Sequence, residues 1–182
     1  MLAQFLALAV VAVVAVAPAP TLAASPTAKA PRSGQTPMVT VAGLRMAAPD
    51  GLQATVQELA KPDPGQWTAQ VTLRDGANER IRLEIYPNLR NWTATQWVAA
   101  QWTEISRQTL LRAAAIGPSQ AHGLRGEMSP SPQRHAQHVA FVALGKQLVH
   151  VVCHTGSHSA VAAQCENTLA SLQSSLQSAG GQ

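Results

Sequence analysis

Apolar and polar positions alternate most strictly in two consecutive stretches. In "WTAQVTL", Trp67, Ala69, Val71 and Leu73 share one side, and in "ERIRLEI" Ile81, Leu83 and Ile85 do the same while Arg80, Arg82 and Glu84 point away. A period of two over this length is the mark of half-buried strands. Asp75-Gly76 lies between them and Pro87-Asn88 follows, so the pair reads as a β-hairpin. "QHVAFVAL" and "QLVHVVCH" form a second hairpin, joined by Gly145-Lys146 in the order a type II′ turn favours. That turn sets Val142 opposite Val149, Ala140 opposite Val151 and His138 opposite Cys153, with Phe141 facing His150 and Val139 facing Val152 on the other side. Both sides are largely apolar, which places these strands at the covered centre of a sheet. A short β-prone segment at Val39 to Ala42 precedes all of this, and Pro49-Asp50-Gly51 marks a turn after it.

The period changes to that of a helix in "NWTATQWVAAQWTEISRQTLLRAA", where Val98, Trp102, Ile105 and Thr109 recur at helical steps. Thr93 and Gln96 fit a capping box, and Trp92 and Trp97 stand where a hydrophobic staple closes over it. Gly117-Pro118 is the expected stop. Three of the four tryptophans lie between 92 and 102, and staple and core stripe account for them without an aromatic ligand platform. "NWT" at 91–93 also matches the N-glycosylation sequon, but Thr93 is already engaged as a cap. A second helix follows the second hairpin, with Ala162, Cys165, Leu169, Leu172 and Leu176 on one face. Between helix and hairpin lie a glycine-rich "HGLRGEM" and a "SPSP" loop.

The elements together predict an α+β fold, an α/β/α sandwich in which an antiparallel sheet of hairpins is covered by helices, as a single domain over residues 38–176. Phe5 to Val16 is an unbroken apolar run followed by Pro18, Pro20 and "TLAAS", which reads as a signal peptide over 1–23. The run is short for a membrane span, which needs about 20 apolar residues. The alternative is an anchor that is retained, because "MLAQ" carries no basic side chain. Ser25 stands where a lipidated cysteine would sit in a lipoprotein box, so no lipid attachment is expected. Residues 24–37 read as a flexible linker and 177–182 as a disordered tail. The expected location is periplasmic or secreted, with no stable membrane insertion once the leader is removed. A net charge of +4 without a basic run or basic helix argues against a nucleic-acid partner.

Both cysteines and three of the six histidines fall in "HVVCHTGSHSAVAAQC", residues 150–165. Strand parity puts Cys153 on the face of Val149 and Val151, and helical spacing puts Cys165 on the buried stripe that follows. In an oxidising compartment such a pair becomes a disulfide, in preference to free thiols or metal ligands. A closed loop of this length is worth about 3 kcal/mol. His150 and His154 share a strand face but stand about 13 Å apart at strand rise, too far to share one ion. A surface transition-metal site would instead use His154 and His158 with Gln137 or His135 opposite.

Little in the chain points to catalysis. Carboxylates are few and read as turn or exposed strand residues, and the nucleophile elbow, the HExxH helix and the phosphate loop are absent from the sequence. Ser157 beside His158 is an adjacency, not a triad. The order of "WTAQVTL…ERIRLEI", a long helix with an early tryptophan, "GLRG", "HVAFVALGKQLVHVVC" and "CENTLASL" resembles the PsbP/Mog-like fold and bacterial DcrB-like and LpqN-like exported proteins. The resemblance covers about 38–176 through element order and pattern, and carries no catalytic or binding residue across. It implies an exported, non-catalytic binding or accessory domain of the cell envelope, with no cofactor and with an envelope protein or a small ligand as partner. A periplasmic metal-binding protein and a hydrolase are the alternatives.

Overall fold

A computed structural model of the chain describes residues 36–131, 135–155 and 159–175. The leader, most of the linker, His158, Leu176 and the tail lie outside the described residues. The elements are strands β1 (Met38–Val41), β2 (Leu44–Ala47), β3 (Gln53–Glu58), β4 (Ala69–Asp75) and β5 (Asn78–Pro87), helices α1 (Ala94–Gln101) and α2 (Thr103–Gln108), strands β6 (Arg112–Ile116), β7 (Ala121–Met128), β8 (Gln137–Leu144) and β9 (Gln147–His154), helix α3 (Ser159–Ser171) and strand β10 (Gln173–Ser174). They make an α+β fold with two antiparallel sheets, one of three strands in the order β1-β2-β10 and one of seven in the order β3-β4-β5-β9-β8-β7-β6.

The alternating stretches pair as strands. Ala69, Val71 and Leu73 stand opposite Ile85, Leu83 and Ile81, and all six are fully buried. The second hairpin takes the register its turn dictates, with Val142 opposite Val149 and Phe141 opposite His150. Gly145 has a φ of +60°, as the first central residue of a type II′ turn requires. β9 is the middle strand of the seven, which is why it is apolar on both faces.

Strand parity divides the core in two. Ile81, Leu83 and Ile85 of β5 and Val149, Val151 and Cys153 of β9 join Cys165, Leu169 and Leu172 and the small sheet's Val41, Leu44 and Met46 in one cluster. The alternate residues Leu148 and Val152 join Phe141, Met128 and the α1 residues Ala94, Trp97 and Val98 in another.

Four segments depart from the pattern-based reading. The first helix does not run on to Gly117: it breaks at Trp102, whose φ and ψ are −122° and 33°, and ends at Gln108. "RAAAI" is the strand β6, paired with β7 along its length, so strand pairing overrides the helix propensity of its alanines. Gly117 belongs to the turn after β6. Its φ is +72°, and a β-carbon there would lie 1.9 Å from the Leu172 carbonyl oxygen. The glycine-rich "AHGLRGEM" is the strand β7, and the polar β3 lies along an edge, where the alternation that betrays a half-buried strand is lost. Finally, α3 ends at Ser171, and Gln173 and Ser174 pair with Arg45 and Leu44 of β2 instead of continuing the helix toward Leu176.

Candidate functional site

Cys153 and Cys165 are joined as a disulfide, with α-carbons 6.0 Å apart, and both are buried in the cluster beneath α3. The capping box is complete. The Gln96 backbone N–H donates to the Thr93 hydroxyl, and the Thr93 backbone N–H donates to the Gln96 side-chain carbonyl. Trp97 is fully buried and Trp92 packs half-buried against the same cluster. Thr93 and Gln96 close the entry of α1, and Trp97, in its first turns, belongs to an aromatic layer over the sheet.

In that layer Tyr86, Trp97, Trp102 and Phe141 meet edge to face or tilted, with ring centroids 5.3 to 6.2 Å apart. His150 of β9 lies within it. Its ring stacks on Phe141 at 4.6 Å and 9°, and Trp102 tilts against it at 4.4 Å. The helix break falls at Trp102, the residue that brings an indole onto the histidine.

The partners of His150 come from β5, the neighbouring strand, where Glu84 stands directly opposite it. His150 Nδ1 is 3.1 Å from Glu84 Oε2, and the same oxygen accepts from the Tyr86 hydroxyl at 3.0 Å. Arg82 Nε faces the other carboxylate oxygen at 3.3 Å as an ion pair rather than an aligned hydrogen bond, and Arg82 also reaches Glu79 at 3.6 Å. Glu79 in turn meets His154 Nε2 at 3.1 Å, and Gln137 meets His154 Nδ1 at 3.2 Å. A polar chain thus runs along a face that is otherwise aromatic and aliphatic.

Burial alone would raise the Glu84 carboxyl. The hydrogen bond of His150 and its charge when the ring is protonated, the Tyr86 hydroxyl and the Arg82 guanidinium outweigh it and hold Glu84 below the ordinary carboxylate range. Tyr86 is pushed well above its ordinary value, by burial first and then by the charge and hydrogen bond of Glu84. An ionised carboxylate only accepts, so His150 donates from Nδ1, and in the neutral ring Nε2 keeps its lone pair.

His150 is 4 % exposed, and its Nε2 is buried without a hydrogen-bond partner among the described residues. The Trp102 indole N–H is likewise buried and unpartnered. Both residues line one cavity of about 400 Å³, together with Arg82, Glu84, Ile105 and Gln137. With the imidazole neutral, these adjacent aromatic rings present an acceptor and a donor that no described residue meets, and a buried unmet polar group costs about 1–3 kcal/mol. A hydroxyl group can satisfy both at once, giving its proton to Nε2 and accepting from the indole.

None of the sequence candidates was in this cavity. Glu84 and Arg82 were read as pointing away from the core; they point onto the second covered face, and the Glu84 side chain is only 14 % exposed. The available signal was His150 itself, a titratable residue opposite Phe141 on a strand apolar on both sides. Of the histidines read as a metal alternative, His154 has both ring nitrogens engaged by Glu79 and Gln137 and His135 is exposed, while His158 lies outside the described residues. Among the described residues no group of three or more His, Cys, Asp or Glu side chains is placed to share an ion. No helix among them is long and apolar enough to cross a membrane.

No protein-family model matches the chain, and no curated protein matches it either. The fold and the cavity therefore carry the functional reading by themselves.

Proposed function

We propose that the chain is an exported, non-catalytic binding domain of the cell envelope that holds a small hydroxyl- or amide-bearing ligand against His150. The observation that carries this reading is the pair of buried polar atoms without a partner among the described residues, His150 Nε2 and the Trp102 N–H, on two adjacent rings lining one cavity. Glu84 fixes which ring nitrogen of His150 bears the proton, and so fixes the acceptor a ligand would meet. Binding is favoured over acyl transfer because none of the described residues lining the cavity carries a hydroxyl or thiol for His150 to activate.

The leader-like "FLALAVVAVVAV", the internal disulfide and the lack of a crossing helix among the described residues support export to the periplasm or beyond. The division of the core into two clusters, one with α3 and one with α1, supports the α/β/α sandwich and the PsbP/Mog-like resemblance.

The reading is tested by denaturing protein purified from its native envelope and identifying released small molecules by mass spectrometry. A stoichiometric hydroxyl- or amide-bearing compound is expected, retained at least tenfold less by Trp102→Phe, which keeps the ring and removes the donor (about 1.4 kcal/mol). Recovery of no compound, or of one that Trp102→Phe retains equally, overturns the assignment and leaves water as the occupant.

A further inference from the structure

The seven-stranded sheet ends at β3 on one side and β6 on the other. An edge strand offers a row of N–H and C=O groups that its own sheet does not pair, and proteins blunt such edges with charges, prolines or bulges. β6 reads Arg-Ala-Ala-Ala-Ile: beyond Arg112 it carries none of these devices. A cavity lies on each side of its edge. One, of about 470 Å³, is lined by Arg112 and Ala114 with Arg125 and the disulfide; the other, of about 620 Å³, is lined by Arg107, Leu111 and Leu124. Leu110, two residues before β6 and 72 % exposed, lines both.

Side chains alternate along a strand, so a strand added to β6 turns alternate side chains toward the 470 Å³ cavity, which Arg112, Ala113 and Ala114 line, while the 620 Å³ cavity begins at Leu111, just before the strand. The charge at the edge selects the partner. Arg125 is paired with Glu166, and Glu127 lies 3.7 Å from His138. Arg107 and Arg112 are exposed and have no ion pair among the described residues. We propose that β6 is a docking edge for an extended segment of a partner protein that carries acidic side chains, added as an eighth antiparallel or parallel strand. The chain's own residues 24–35 are a poor occupant, since they hold Lys29, Arg32, Pro26 and Pro31 and no acid. A second copy pairing β6 with β6 brings the same arginines and no carboxylate on that strand to meet them. The proposal is independent of the His150 cavity.

The test uses the full chain and a capped peptide alternating valine and glutamate, with a lysine-for-glutamate version as control, followed by backbone amide resonances and their hydrogen exchange. Residues 112–116 should shift, and those of their amides that point away from β7 should become protected with the acidic peptide, with affinity at least about tenfold lower for the basic one. Charge reversal by R107E with R112E, on the exposed surface, should invert that preference. Methylating alternate peptide nitrogens on the edge-facing side should abolish binding, as loss of the ladder hydrogen bonds requires. No response at β6 with millimolar acidic peptide, or equal affinity for both peptides, overturns the proposal. So does protection, before peptide is added, of the 112–116 amides that point away from β7, which assigns the edge to the chain's own segment if the protein sediments as a monomer and to a second copy if it sediments as a dimer.

Discussion

Toward α3, strands β5 and β9 present Ile81, Leu83, Ile85, Val149 and Val151, all fully buried, and a covalent bond from Cys153 ties the helix down. Toward α1 the same two strands present Arg82, Glu84, Tyr86 and His150 among Trp97, Trp102 and Phe141. The first face is sealed by non-directional contacts, which any well-packed apolar set provides. The second depends on orientation, because each buried polar atom needs a partner at the right angle, and Arg82 Nε, the Trp102 N–H and His150 Nε2 find no hydrogen bond among the described residues. Covalent and apolar stability on one side lets the other keep unmet hydrogen-bonding capacity, which is what a binding site needs.

The largest effect should come from Trp97→Ala, which removes the fully buried centre of the aromatic layer. A loss of about 3–5 kcal/mol in denaturant unfolding is expected. Next is Cys153→Ala with Cys165→Ala, expected to cost about 3 kcal/mol. The tryptophan near-ultraviolet dichroism of the folded double variant should stay unchanged, because the aromatic layer lies on the opposite face; a change as large as that in Trp97→Ala would show that the two faces are not independent.

Glu84→Leu leaves His150 Nδ1 and the Tyr86 hydroxyl without their acceptor and should cost about 1–3 kcal/mol. Adding His150→Phe should recover part of that loss, since a buried polar pair replaced by apolar groups is often neutral. A double variant less stable than Glu84→Leu would refute the pairing described here.

The same carboxylate gives a pH dependence. Its folded value is depressed, so its contribution is present above the ordinary glutamate range and is lost as pH falls through the lowered folded value. Glu84→Gln should therefore flatten the acid limb of the stability curve, measured by denaturant midpoints from neutral pH downward. The smallest effect belongs to the exposed cap: Thr93→Ala should cost about 1 kcal/mol.

Much of this was legible along the chain. The register of β8 and β9 followed from Gly145-Lys146, the start of α1 from Thr93 and Gln96, and the cysteine pair from strand and helix parity, because each depends on neighbours a few residues away. The site was not legible. His150 and Glu84 are 66 residues apart, and only the adjacency of β5 and β9 brings them together. Reading Arg82 and Glu84 as solvent-facing assumed a sheet open on one side, whereas the apolar character of both faces of β9 already required a second cover.

What the sequence by itself determined, then, was local: hairpin turns, the helix cap, the alternation that buries one face of each strand, and a disulfide across a short loop. The tertiary structure alone decided that Ala113 to Ala115 form an edge strand, that α1 breaks at Trp102, and that Glu84 and His150 meet beneath an indole. Those outcomes turn on pairing between distant strands and on the packing of large rings. There the free energy belongs to contacts formed across the fold, and it outweighs the small intrinsic preferences that a sequence displays.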